Sequence, residues 1–181
     1  MSRYVNNELV STVPLTIAAG SNPSMLDIAF NPSSGVFHAI VNVASLTKWC
    51  TLDKSTGVLT EHADYITEVT GDQITVFDFD SAGNMYGMIR ANPGFDSLYT
   101  IDWAAKTVTP IASTGIGNKS ILGITIMNDI VYVVTTDTGG VAPMLLYSVN
   151  KTTAAATLIG EIDDPDSVSV SSSGGLTSVN P

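Results

Sequence analysis

The chain has 181 residues, enough for one compact domain with a real hydrophobic core. Charged residues make up 13% of it, about half the roughly 25% usual in soluble domains. Seven Lys and Arg face seventeen Asp and Glu, a net charge of −10 with no basic stripe. This argues against nucleic-acid phosphate or an anionic membrane surface as a partner, because nothing would displace the counterions.

The opening MSRYVNNELVSTVP has no apolar stretch of signal-peptide type, and no apolar run reaches transmembrane length, so neither secretion signal nor membrane insertion is expected. The lysine-poor, Ser/Thr/Asn-rich composition nevertheless suits an extracellular particle. A protein made in the cytoplasm and built into a virion or an extracellular assembly reconciles the two, with a cytoplasmic location left open.

Three stretches in chain order carry the same strand pattern. Residues of about 25–66 read LDIAFNPSSGVFHAIVN and then LTKWCTLDKSTGVLTEHADYI. The second stretch, 73–114, shows four strand signals: QITVFDFD, MYGMIRA, SLYTID and TVTPIAST, separated by SAGN, NPGFD and WAAK. These are β-branched and aromatic runs bounded by Gly, Pro, Asn and Asp. The third stretch, 121–162, repeats them as ILGITIMNDIVYVVTT and MLLYSVNKTTAAATLIGEI. In the first strand of each copy, Ile28, Phe77 and Ile124 are equivalent, as are Phe30, Phe79 and Ile126, with Val168 and Val170 as a fourth pair. Small or polar residues lie between them (Ala29, Asp78, Thr125 and Ser169), so period 2 sends the two sets to opposite faces.

A second frame, an aromatic or similar residue followed three positions later by Asp or Asn, starts at Tyr4, Cys50, Tyr99 and Tyr147, at spacings of 46, 49 and 48 residues. Such a period marks a solenoid, a propeller or another repeat array. Residues 1–20 match only the third and fourth strands of the repeat, with RYVNN aligned to LYTID and VPLTIAAG to VTPIASTG. Residues 166–181, DSVSVSSSGGLTSVNP, match only the first and second strands.

The turn sequences DSAGN and NPSSG and the runs LYTID and LYSVN resemble the repeats of β-propellers, and the likeness covers nearly the whole chain. It implies an all-β fold, a single β-propeller domain of four blades of four antiparallel strands. The fourth blade is split between 166–181 and 1–20. In blade count alone this is similar to hemopexin-like domains. The split blade can close within one chain or between chains, giving an eight-bladed dimer or a head-to-tail polymer. The single-chain disc is preferred, because the small inner residues Ala29, Gly123, Thr125, Ser167 and Ser169 suit a crowded axis.

Candidate site residues are few. Trp103 follows Asp102 where the other repeats place Glu8, Lys54 and Lys151, so an exposed ring is expected there, an anchor for an interface or a sugar. Phe95, in the loop NPGFD, is a second candidate contact. Asp78, with Asp27, is a candidate axial ligand for a cation such as calcium, the plainer alternative being a carboxylate bonded to backbone amides. Trp49 is read as core, His62 as a surface residue, and Cys50, the sole cysteine, as a buried apolar side chain without a disulfide. Asp163, Asp164 and Asp166 read as a solvated loop. His38 and His62 stand in no metal-ligand spacing, and no nucleophile elbow occurs.

The expected function is a non-enzymatic structural or adhesive building block that self-associates or joins other assembly proteins. A carbohydrate-binding propeller is the alternative, and a calcium-containing propeller enzyme a third reading. No cofactor is expected beyond that calcium.

Overall fold

The computed structural model describes residues 2–5, 8–12, 14–17, 23–43, 46–64, 74–89, 96–137 and 143–162. Within them the chain is all strand. The N-terminal pair β1 (Ser2–Val5) and β2 (Glu8–Thr12) forms a hairpin, followed by the two-residue β3 (Thr16–Ile17). The first unit contains β4 (Ser24–Asn31), β5 (Val36–Val43), β6 (Leu46–Leu52) and β7 (Val58–Asp64). The second contains β8 (Ile74–Phe79), β9 (Met85–Ile89), β10 (Ser97–Asp102) and β11 (Thr107–Ser113). The third contains β12 (Lys119–Met127), β13 (Ile130–Asp137), β14 (Met144–Asn150) and β15 (Ala156–Ile162). Each unit is an antiparallel meander, and β4, β8 and β12 are its innermost strands, β4 lying beside β8 and β8 beside β12.

The repetition extends to its irregularities. The first strand of each unit carries one extra residue against its partner: Leu26, Thr75 and Leu122. The fourth strand does the same at His62, Ile111 and Ile159, and β2 repeats it at Val10. A bulge bends its strand and re-aims a side chain. Four outer hairpins therefore share one bulge position, the N-terminal one included.

Among the described residues two of the three buried clusters lie between units, and the third fills the other face of the first unit with Ile17, Ala39, Val41, Cys50 and Leu59. Ala29, Ile40 and Trp49 of the first unit pack with Phe77, Phe79, Tyr99 and Ile101 of the second. Val76, Met88 and Leu98 of the second pack with Ile121, Ile124, Val131 and Val149 of the third. Gly87 marks how closely β9 is enclosed: a Cβ there would lie 2.6 Å from Ile74 Cγ2 and 2.8 Å from Ile101 Cδ1.

One alignment made from sequence is corrected. The fourth strand of the N-terminal hairpin is Glu8–Thr12, with Ser2 opposite Thr12, and not the VPLTIAAG stretch. Only positions 6 and 7 separate β1 from β2, whereas 103–106 separate β10 from β11. Thr16 and Ile17 instead pair in parallel with Val58 and Leu59, adding a fifth strand to the outer edge of the first unit. The third unit shows the same crossing in brief, where Ala156 N donates to the Thr114 carbonyl at 3.1 Å. The chain leaving one outer strand thus ties onto the next unit, a contact that apolar periodicity does not encode.

Candidate functional site

The Asp/Asn of the repeated frame closes the turn between third and fourth strands. Asp53 Oδ1 accepts the Ser55 amide at 2.8 Å, Asp102 Oδ1 the Ala105 amide at 2.8 Å, and Asn150 Oδ1 the Thr152 and Thr153 amides at 2.9 and 3.0 Å. Such side chains mimic a backbone turn, which is why Asp or Asn returns there. The frame is structural, and chemistry has to come from what differs between copies.

Asp27 and Asp78 act as staples between innermost strands. Asp27 Oδ1 accepts its neighbour's amide, Ile28, at 2.9 Å, and Oδ2 accepts Phe77 N of the next unit at 2.8 Å. Asp78 repeats this with Phe79 N at 2.8 Å and Ile126 N at 2.8 Å, adding the Thr125 hydroxyl at 3.0 Å. Burial pushes the Asp78 carboxyl above the ordinary Asp value, and the donated hydrogen bonds pull it partly back. Its oxygens face amides and a hydroxyl, the arrangement of a strand-to-strand tie. Among the described residues no group of three His, Cys, Asp or Glu is placed to hold a metal ion.

Trp103 is half-buried, which corrects the expectation of an exposed ring. The turn after β10 lays it against the first unit, where it meets both histidines of the chain. His62, the bulge residue of β7, stacks on it with centroids 4.5 Å apart and planes at 12°, and its Nε2 lies 2.8 Å from the Trp103 carbonyl oxygen. His38, on β5, stands edge-on at 4.4 Å. Trp49, fully buried as expected, is 5.6 Å away. His62 is therefore a contact to the neighbouring unit. The bulge aims it there, and simple alternation along β7 could not reveal that.

Below Trp103 the first and second units leave an open cleft of about 830 Å³, lined by Asn31, His38, Phe79, Asn84 and Asp102 among others. The matching position between the second and third units is filled differently. Lys151, the equivalent of Trp103, donates to Asp80 Oδ2 at 3.0 Å and Asp129 Oδ1 at 2.7 Å, 6.0 Å above the Tyr86 ring. Asp80 and Tyr86 correspond to Asn31 and His38. One junction holds an ion-pair clamp, the other an aromatic wall beside a cleft.

Burial, with the neighbouring His62 adding to it, pushes His38 down to about 4. Its Nδ1 is buried without a partner. Because the folded value lies below the ordinary one of about 6.5, the unfolded chain takes up the proton more readily. The stability at stake is complete above about pH 6.5 and is lost as pH falls towards about 4. Melting temperatures should therefore drop across that window by the equivalent of about 1–3 kcal/mol, and His38→Phe should flatten the drop. An unchanged slope in His38→Phe would assign it elsewhere. Cys50 is fully buried, and burial lifts its thiol to about 11, so it has no thiolate character at neutral pH.

Phe95, Asp163, Asp164 and Asp166 lie outside the described residues, as does the 166–181 half of the expected fourth blade. Among the described residues no helix is long and apolar enough to cross a membrane.

No protein-family model matches the chain, and no curated protein matches it. Solved structures do. YCF48 bound to a D1 peptide superimposes with a TM-score of 0.52 at 12% identity, over 78% of this chain and 41% of that one. Puromycin hydrolase gives 0.50 at 12%, over 80% of this chain and 22% of its own. TolB from Acinetobacter baumannii gives 0.49 at 14%, over 77% and 33%. The chain thus spans less than half the length of each. At such identities the likeness shows the fold alone, and the radial repeat of these meanders is that of a β-propeller.

Proposed function

We propose that the chain is a non-catalytic β-propeller building block with four units to its ring, the fourth shared between neighbouring copies. In this reading β1–β2 of one copy supplies the outer hairpin and the 166–181 sequence of the next supplies the inner strands. The observation that carries it is the bulge series in the fourth strands. His62 packs on the following unit and Ile111 is half-buried against the core it shares with the third, but Ile159 is 53% exposed. Leu158 and Ile162 beside it are exposed too. Leaving such a face wet costs about 25 cal/mol per Å² of apolar surface, so a further unit is expected to cover it. The β1–β2 hairpin carries the same bulge and stands as a two-stranded sheet of its own, which supports it as part of that unit.

Native mass spectrometry at high protein concentration should show rings or chains of copies, and Ile159→Lys should shift the population to monomer without unfolding it. A monomer at every concentration would place the fourth unit within one chain and sink the building-block reading.

A further inference from the structure

We propose that the cleft between the first and second units binds a neutral saccharide, one site per chain. The argument starts from the broken repeat. At the sister junction Lys151 fills the equivalent space above Tyr86, its charge met by Asp80 and Asp129. Between the first two units the groups corresponding to Lys151, Asp80 and Tyr86 are Trp103, Asn31 and His38, and the space stays open. Trp103 packs on the rings of the first unit, but the volume that Lys151 occupies at the sister junction is left unfilled, and a departure from the repeat that leaves a cleft open points to function.

The lining has the chemistry of polyol recognition. Asn31 uses Oδ1 on the Ser33 and Ser34 amides, leaving its NH2 as a donor. Asn84 donates through Nδ2 to Asp80 Oδ2, leaving Oδ1 as an acceptor. Asp102 uses Oδ1 on Ala105 N, leaving Oδ2. Thr51 adds a hydroxyl, and Phe79 and the half-buried Trp103 give an apolar wall for C–H groups. A volume of about 830 Å³ falls within the range of small-molecule sites, roughly 300–1,000 Å³.

Other ligand classes fit less well. Among the described residues no Lys or Arg lines the cleft, so an anion meets no counter-charge from them. A cation would meet one carboxylate, Asp102, and no second Asp or Glu among the described lining residues, so charge recognition is weak on this side too. Lectin-like propellers with a site in every blade would repeat the tryptophan. Here Lys54 and Lys151 stand in its place, which restricts the site to one junction.

The test is calorimetric titration of the purified chain with maltose, cellobiose, lactose and N,N′-diacetylchitobiose, with tetramethylammonium as the cationic control. Saturable binding of at least one sugar is expected, weakened at least tenfold in Trp103→Ala and unchanged in Lys54→Ala. Because Trp103 also packs against the first unit, Ala104→Tyr is the second variant: Ala104 is exposed, so the fold tolerates the ring while the cleft is blocked. The proposal is overturned if no sugar binds the folded protein, if binding survives Ala104→Tyr, or if tetramethylammonium alone binds. These readouts do not depend on the number of copies in the assembly.

Discussion

Asp78→Ala is expected to destabilise the protein by about 3–5 kcal/mol, lowering its melting temperature by roughly 6–20 °C. The carboxylate accepts three donors in a buried place: Phe79 N, Ile126 N and the Thr125 hydroxyl. Removing it strands those groups away from water, and each buried orphan costs about 1–3 kcal/mol. Part of this is offset, because the charged carboxyl no longer has to be kept out of water. Asp78→Asn tests the geometry more finely. One carboxamide oxygen cannot serve donors on both sides, and its NH2 then faces an amide N–H, so a loss of about half that size is expected. Urea melts of the two variants decide the matter. A loss below about 1 kcal/mol for Asp78→Ala would mean that the staple between β8 and β12 contributes little.

The pH response separates this residue from His38. The Asp78 carboxyl lies above its ordinary value in the folded chain, so its stability contribution is greatest in acid and declines as pH rises from the ordinary value to the folded one. His38 acts in the opposite sense, losing stability as pH falls. Difference curves against Asp78→Asn and His38→Phe resolve the two trends, which partly cancel in the parent protein.

Much of the fold was legible because the signals are local. Alternation at Ile28 and Phe30, Phe77 and Phe79, and Ile124 and Ile126 marked three innermost strands, and the Asp/Asn frame marked the turns it caps. Trp49 could be placed in the core because its equivalents are Leu98 and Leu146. The bulges were not legible. An extra residue in a strand leaves composition unchanged and shifts the facing of everything after it, so the packing of His62 on Trp103 stayed hidden. The parallel strand Thr16–Ile17 was missed for a related reason: two residues carry no period, and a parallel edge pairing depends on where the chain has to go next. The series Glu8, Lys54, Lys151 marks Trp103 as its odd member, but not its half-buried seat. Sequence shows that a lysine is replaced by tryptophan, and only the neighbouring unit shows that two histidines receive it. The cleft below it is visible only as the contrast between two junctions.

Trp49 carries the other large effect. Its side chain is fully buried, with the Phe77 ring at 5.7 Å and the Trp103 ring at 5.6 Å, so it joins the first unit to the second. Trp49→Ala removes that ring and leaves a cavity between sheets that cannot collapse without separating them, a cost of about 3–5 kcal/mol. Trp49→Phe should behave very differently. The indole Nε1 is buried without a hydrogen-bond partner, and phenylalanine removes that unsatisfied N–H while keeping an aromatic ring against Phe77. The lost area and the relieved N–H act in opposite directions, so a net change under about 1.5 kcal/mol is expected. Chemical denaturation of both variants provides the measurement. If Trp49→Phe is as damaging as Trp49→Ala, the nitrogen is satisfied in solution and the account of this junction is wrong. If both are mild, the units do not share a core. With two tryptophans in the chain, Trp49→Phe also leaves Trp103 as the sole indole reporter.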